Sequence, residues 1–306
     1  MIVRPAAAAD SAEVCEICAT ALPQEPDAQE FPAILARASS DKVTAVAETD
    51  GRVAGIGHAS ARLMPDGTIR GHVDLIAVAP RCQGQGAGTM LLSELEAQLR
   101  VRGVAEVRLG HNAPVYLWPG VDRAYSSMIR LAEQAGYERY DDAVNLTADL
   151  SEAGLDTDAA ERELAAAGIS VRRATQADSG PLRDWLREGP WGSSSWPAEV
   201  AAAVGHQPAG CHIACRGSDY IAFACHGVNR SGWFGPMGTS GSERRHGIGT
   251  VLLRRCLADI RGAGHQAAQI AWAGPVSYYE RAVGARVDRV FWLFRKSLIP
   301  PEAADG

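Results

Sequence analysis

Two short stretches of this chain carry residue types suited to holding an anion. Val78–Leu92 reads VAPRCQGQGAGTMLL and Thr239–Leu253 reads TSGSERRHGIGTVLL, with G-x-G and the following Thr-x-Leu-Leu at a constant offset. Glycine lets backbone amides approach a ligand closely, and the free N–H groups and dipole at a helix start attract negative charge. In each stretch an apolar run precedes a polar turn and a helical pattern follows it. One face of the first helix carries Leu91, Leu92, Leu95 and Leu99, and the second carries Leu252, Leu253, Cys256 and Ile260. The chemistry that fits is recognition of a phosphate-bearing ligand, at two sites or at one and its vestige. The second copy adds Arg244, Arg245 and His246, whereas the first offers Gln83 and Gln85 with Arg81 nearby. Two other phosphate loops are excluded. Neither copy ends in Gly-Lys-Ser/Thr, and neither has the third glycine of a dinucleotide fingerprint.

The elements that must position these loops repeat as well. Val3-Arg4-Pro5-Ala6 with Ala9-Asp10 recurs as Val171-Arg172-Arg173-Ala174 with Ala177-Asp178. Each reads as a short strand, a turn and an Asp that opens a helix. In the first copy that helix runs from Ser11 to Ala21, and Pro23 and Pro26 break the chain after it. Alternation over Val43–Ala47, the turn Asp50-Gly51 and the run Val53–His58 predict a hairpin. Pro65-Asp66-Gly67 marks a second turn, and His72–Val78 is the strand leading into the loop. Val104–Leu109, a helix from Ala124 to Ala135 and the strand Asp142–Leu150 complete the first copy. The second copy has a helix at Pro181–Arg187, a hairpin of His212–Arg216 and Tyr220–His226, and the lead-in strand Gly232–Gly238. After its loop come Ala268–Trp272, the helix Val276–Ala282 and the strand Val287–Lys296. The acidic, Ala-rich stretch Ser151–Gly168 reads as a helical linker, since Ala, Glu, Arg and Leu all favour helix. Two duplicated domains are therefore expected, residues 1–150 and 169–306, joined by 151–168.

At 306 residues the chain has room for two cores, and 46% hydrophobic with 22% charged residues is the balance of a soluble globular protein. A net charge of −6 without a Lys/Arg run argues against a nucleic-acid partner. The start, MIVRPAAAAD, lacks the pattern of a signal peptide, and no apolar run reaches the length of a membrane helix, so a cytoplasmic location is expected. Seven irregularly spaced cysteines suit reduced thiols. Cys15-x-x-Cys18 has no second pair to complete a zinc site, and no metal is expected.

Both loops resemble the acetyl-CoA loop of the GNAT acetyltransferase superfamily, Gln/Arg-x-x-Gly-x-Gly/Ala. It stands here as Gln83-x-x-Gly86-x-Gly88 and Arg244-x-x-Gly247-x-Gly249, and Val78-Ala79-Pro80 fits the family's usual strand end. The resemblance covers Ile2–Leu150 and Ile169–Lys296. It implies an α/β (α+β) class: two tandem GNAT folds, each a mixed, mostly antiparallel central sheet flanked by helices, in the order β-α-β-β-β-α-β-α-β. The two-domain arrangement is similar to the mycothiol synthase type, in which the second domain is active. The resemblance implies acetyl-CoA as cofactor, with pantetheine against Ile76-Ala77-Val78 and Met237-Gly238-Thr239. The pyrophosphate would rest on Gln83, Gly84, Gln85, Gly86, Ala87, Gly88 and Thr89, and on Arg244, Arg245, His246, Gly247, Ile248, Gly249 and Thr250.

The same resemblance suggests catalytic roles. The family's Tyr toward the leaving thiolate sits in Tyr-Glu-x-x-Gly. The second copy has Tyr278-Tyr279-Glu280-Arg281 with one extra residue before Gly284, and the first has Ala132 at that place, which favours the second copy as catalyst. The family's basic Glu on the lead-in strand falls at His72 in the first copy and at Trp233 in the second; Asp74 is a further candidate base. Trp191, Trp196, Trp233 and Trp272 lie on segments that approach the acceptor side. With the Ser193–Ser195 hydroxyls they either wall a pocket for a small polar amine or fill the core. Tyr116, Trp118 and Asp122 lie on the corresponding loop of the first copy, where they line a pocket or pack inward. The expected activity is acetyl-CoA-dependent N-acetylation of a small-molecule amine. Its rivals are a non-catalytic acyl-CoA-binding protein and a protein-amine acetyltransferase.

Overall fold

The structure, a computed structural model, describes residues 1–38, 41–64, 66–151 and 153–299. Pro65 of the expected turn, Glu152 of the expected linker and the last residues of the expected second domain lie outside the described residues. The chain forms two compact units, and they do not end where the sequence repeat does. Among the described residues, one comprises Met1–Ala143 with 291–299, and the other Val144–Val290.

The first unit is laid down as β1 (Ile2–Pro5), α1 (Ser11–Ala21), α2 (Phe31–Ala36), β2 (Asp41–Thr49), β3 (Arg52–Leu63), β4 (Ile69–Val78), α3 (Ala87–Val101), β5 (Glu106–Leu109), β6 (Val121–Asp122), α4 (Ser126–Gln134) and the start of β7 (Glu138–Asp149). The second follows with α5 (Asp158–Ala166), β8 (Ile169–Arg173), α6 (Ser179–Glu188), α7 (Trp196–Val204), β9 (Cys211–Arg216), β10 (Asp219–His226), β11 (Trp233–Thr239), α8 (Ile248–Gly262), β12 (Ala267–Ile270), α9 (Val276–Val283) and the start of β13 (Arg286–Ser297).

In the first unit β1 to β4 pair antiparallel in chain order, and β4 pairs with β5 in parallel. The second unit repeats this with β8 to β11 antiparallel and β11 parallel to β12. The loop helices pack as their apolar stripes require: Leu91, Leu92, Leu95 and Leu99 are buried, as are Leu252, Leu253, Cys256 and Ile260. β3 admits α3 closely because Gly57 has no side chain; a Cβ there would lie 2.9 Å from Leu95 Cδ1.

The last strand of each repeat explains why the units differ from the expected domains. Leu146–Asp149 of β7 pair antiparallel with β12 and complete the second unit's sheet. Arg295–Ser297 of β13 pair antiparallel with β5, and Phe291 and Trp292 with β6, completing the first unit's sheet. Lys296 Nζ then ion-pairs with buried Glu96 on α3, at 2.8 and 2.7 Å from the two carboxylate oxygens. The expected linker is likewise not a spacer. Among its described residues only Asp158–Ala166 is helical, and Leu155 and Leu164 are buried in the second unit's core.

Asp10 and Asp178 stand at the N-cap positions of α1 and α6, as expected, though neither side chain makes a cap hydrogen bond to its helix. Each carboxylate accepts two guanidinium bonds, from Arg4 at 2.8 and 2.9 Å and from Arg172 at 2.8 and 2.7 Å. Each also accepts a backbone N–H three residues back, from Ala7 and Thr175, both at 2.7 Å. These bonds hold the Asp10 carboxyl down at about 2, the Arg4 bonds contributing most, and Arg172 lowers Asp178 in the same way. A depressed folded pKa means stability that is present above the unfolded value near 3.8 and lost as pH falls toward about 2. Asp10→Asn with Asp178→Asn should thus weaken the fold at neutral pH and flatten its dependence on pH below 4. Urea midpoints of wild type and double variant measured between pH 6 and 2 check this; parallel curves would contradict it.

Candidate active site

The site begins where β4 and β5 part. Their pairing ends at Val73–Leu109, while β4 runs on to Val78 paired with β3. The unpaired edge opens a cavity of about 520 Å³ in the first unit, closed on one side by the Gly-rich loop and on another by α4. Gly84 and Gly86 adopt left-handed φ of 72° and 85°, and a Cβ on either would meet nothing within 4 Å. The backbone there is bare, and Gly86 caps α3, whose first-turn amides have no partner within the helix. Gln83 fixes the loop's entry by donating from Nε2 to Val78 O at 3.0 Å. Of the first-copy residues expected to hold acetyl-CoA, Ile76, Ala77, Val78, Gln83, Gly84, Gly86, Ala87, Gly88 and Thr89 all line the cavity. Gln85 does not; its Nε2 donates to Arg81 O at 3.0 Å. A bare backbone cradle at a helix N-terminus, opening onto the cavity, fits a phosphate carried on a slender arm.

Asp74 lies at the point of parting and lines the cavity. β3 and β4 slip register there: Ala59 faces Val73 and His58 faces Leu75, so Asp74 has no opposite number. Such a bulge re-aims a side chain. Asp74 is only 4% exposed and accepts from Ser60 Oγ at 2.8 Å and Asn112 Nδ2 at 2.9 Å, with His58 Nδ1 at 3.2 Å.

His72, the other expected base, does not reach the cavity. It is fully buried with Nδ1 2.9 Å from Gly110 O, and burial holds it down at about 4, so it stays neutral at physiological pH. Trp118, Asp122 and Tyr125 line the cavity, whereas Tyr116 is buried away from it. Sequence reasoning passed over Tyr125, which precedes α4, because it looked for a phenol at the helix middle, where Ala132 is buried. Trp118 Nε1 donates to Glu25 Oε1 at 2.9 Å, and Glu25 is buried in the segment between α1 and α2.

In the second unit the same frame is furnished differently. The bulge opposite β10 contains Gly235 and Pro236, so a residue without a side chain stands where Asp74 stands. Arg245, the counterpart of Gly84, has φ 70°, and Gly247 has φ 77°. Arg244 reaches back toward Thr239 O at 3.5 Å as Gln83 does to Val78, and Arg245, His246 and Gly247 are exposed. Ile248 is buried, and Gly249 and Thr250 are half-buried in the first turn of α8. Met237 and Thr239 are half-buried on β11, and an indole lies over Gly238 between them: a Cβ there would sit 2.7 Å from Trp191 Cζ2.

The tyrosines and tryptophans chosen from the sequence are mostly packing groups. Tyr279 is buried in the core, which pushes its hydroxyl pKa well up. Tyr278 is half-buried with its hydroxyl 3.1 Å from where a Cβ on Gly249 would lie, the place Leu131 takes beside Gly88. Trp191 stacks on Trp196 with ring centres 6.1 Å apart, and both pack edge-on against buried Phe223. Trp233 is buried in the β11–β12 ladder under Arg230. The backbone N–H of Trp272 donates to Asn145 Oδ1 at 2.8 Å.

His212, His226 and Asp259 place metal-type atoms within 4.8 Å of one another. Arg255 Nε–H donates to His212 Nδ1 at 3.1 Å, which leaves the ring hydrogen on Nε2, the atom 2.7 Å from Asp259 Oδ2. A nitrogen bearing its hydrogen does not ligate a metal. Burial opposes the Asp259 charge, but bonds from His212, His226 and Arg173 outweigh it and hold the carboxyl far down. The cluster is an ion network tying β9, β10 and α8 together. No helix among the described residues is long and apolar enough to cross a membrane.

Residues 12–116 match the acetyltransferase (GNAT) family. No curated protein matches the sequence. Solved structures share the fold over the whole chain. The fungal GCN5-related glucosamine N-acetyltransferase region of a multi-domain GH3 β-N-acetylglucosaminidase superposes with a TM-score of 0.77 at 18% identity; 96% of this chain is covered, which spans 38% of that one. The tandem GNAT protein from the clavulanic acid biosynthesis pathway gives 0.70 at 16% identity, covering 98% and 99% of the two chains. A GCN5-related N-acetyltransferase from Sphaerobacter thermophilus gives 0.64 at 20% identity, covering 98% and 96%. Residues 12–116 thus belong to a GNAT-family acetyltransferase domain, and the chain as a whole has a tandem GNAT fold.

Proposed function

We propose that the chain transfers an acetyl group from acetyl-CoA to the amine of a small molecule, and that the first unit does the chemistry. The observation that carries this reading is the bulged Asp74 lining the same cavity as the bare glycine cradle. The sequence motif favoured the second unit, but there Gly235 replaces the carboxylate and Trp191 covers Gly238.

Bound acetyl-CoA supplies an activated thioester and a thiol leaving group. Gly84, Gly86 and the first amides of α3 hold the phosphates, and the unpaired edge Ile76–Val78 aligns the pantetheine arm. Asp74, fixed by its hydrogen bonds, receives the proton of the acceptor's ammonium and so exposes the nitrogen lone pair. Tyr125 is the phenol of this cavity and the candidate donor toward the leaving sulfur. Trp118, Tyr125 and Asp122 wall the acceptor end, which suits an amine with an apolar or sugar-like face.

The second unit fits a non-catalytic reading, favoured by Gly235 and by the indole over Gly238. The test is release of free thiol from acetyl-CoA by the full chain, offered a panel of amines that includes glucosamine, aliphatic amines and a peptide amine. The reading expects amine-dependent release with at least one small acceptor. Binding of acetyl-CoA with no release from any amine would make the chain a binding protein, and release with the peptide alone would make it a protein acetyltransferase.

A further inference from the structure

Asp74 is held by three side chains to which the proposed chemistry gives no other part. Ser60 Oγ donates to Oδ2 at 2.8 Å, Asn112 Nδ2 donates to Oδ1 at 2.9 Å and to Ser60 Oγ at 2.6 Å, and His58 Nδ1 lies 3.2 Å from Oδ2. All are buried: His58 is 5% exposed, Ser60 1%, Asn112 4%. An ionised carboxylate only accepts, so the imidazole hydrogen on this side sits on Nδ1. A carboxylate offers about four acceptor positions, and three donors leave about one, on Oδ1.

The donors come from two places. His58 and Ser60 lie two residues apart on β3, beside the register slip that frees Asp74. Asn112 follows β5, on the segment that continues to the cavity residue Trp118. Hydrogen bonds within a low-dielectric interior stiffen the group that they hold. In the second unit Gly235 stands in the bulge, and Ala273 stands at the repeat offset of Asn112. The carboxylate and the amide that holds its Oδ1 are missing there together.

We propose that Asn112, His58 and Ser60 are positioning residues for Asp74. They keep its carboxylate in one rotamer, with the remaining lone pair on Oδ1 turned to the cavity. Asn112 also sets the distance from that lone pair to the acceptor wall carried by its own segment. The inference rests on Asp74 receiving the amine proton, and the experiment separates the two.

Full-length Asn112→Leu, His58→Leu, His58→Asn and Asp74→Asn are compared for kcat at saturating amine, KM for acetyl-CoA, and acetyl-CoA affinity by calorimetry. A misplacement of ~1 Å costs about 100-fold, so both leucine variants should lose about 100-fold in kcat while KM and affinity for acetyl-CoA stay within about two-fold. In His58→Asn the amide N–H takes the place of Nδ1–H and should restore kcat to within about five-fold of wild type. Should a leucine variant not fold, Ser60→Ala and Asn112→Ser carry the same comparison. Near-wild-type kcat in the leucine variants beside an inactive Asp74→Asn would overturn the positioning role alone. His58→Asn as inactive as His58→Leu would also overturn it, since the imidazole would then be needed for its own proton chemistry. Full turnover by Asp74→Asn would remove the base reading and the positioning set with it.

Discussion

Gly86→Glu is expected to lower kcat/KM for acetyl-CoA by at least about 100-fold, equivalent to ~2.7 kcal/mol. Two costs act together. Gly86 has φ 85°, a conformation that an L-residue adopts at a cost of ~1–2 kcal/mol. The new carboxylate would then stand in the cradle where the phosphates must rest, replacing attraction by repulsion. Nothing lies within 4 Å of the Cβ position, so the loss should not come from a clash within the fold. Gly247→Glu makes the same change in the second unit, at φ 77° and with the same open space, and the chain's turnover should stay within about two-fold of wild type. The pair is informative because the two loops are so alike. If Gly247→Glu removed turnover and Gly86→Glu spared it, the second unit would be the catalyst, as its tyrosine motif implies.

Asp74→Asn should lower kcat by about 10²- to 10⁴-fold, the usual worth of a positioned proton acceptor, with acetyl-CoA affinity little changed. The substitution keeps size and shape and removes only the basic lone pairs. It also has a structural cost. An amide that turns its oxygen to Ser60 and His58 must turn its nitrogen to Asn112 Nδ2, and two donors then face each other in a buried place. One unsatisfied buried donor costs ~1–3 kcal/mol, so a modest fall in Tm should accompany the kinetic loss. Kinetics at saturating amine, together with calorimetric affinity, separate the two effects. Unchanged kcat would assign the proton to another group, Asp122 being the other carboxylate that lines the cavity.

Much of the fold was readable because its signals are local. The stripes Leu91–Leu99 and Leu252–Ile260 and the glycines that turn each chain into a helix need only neighbouring residues, and they placed both loops and both sheets. What was hidden depends on pairing across the chain. The ends of β7 and β13 read as the last strands of their own repeats, yet hydrogen-bond partners chosen far away put Leu146–Asp149 and Phe291–Ser297 in the other unit. His72 and Asp74 looked equivalent by strand alternation. Only the register slip against β3 turns one into a cavity residue and leaves the other bonded to Gly110. The tyrosine motif named the second copy, but whether a phenol faces a cavity or the core is decided by packing, and Tyr279 went to the core. His58, Ser60 and Asn112 carried no motif; they become visible only when β3, β4 and the segment after β5 fold together.

The central claim is that acetyl-CoA is held by the first unit, and hydrogen–deuterium exchange of the wild-type chain with and without acetyl-CoA tests it most directly. The expected result is slowed exchange at Ile76–Val78 and at Cys82–Thr89, with Met237–Thr250 little affected. Protection confined to Met237–Thr250 would contradict the claim and return the chemistry to the second unit.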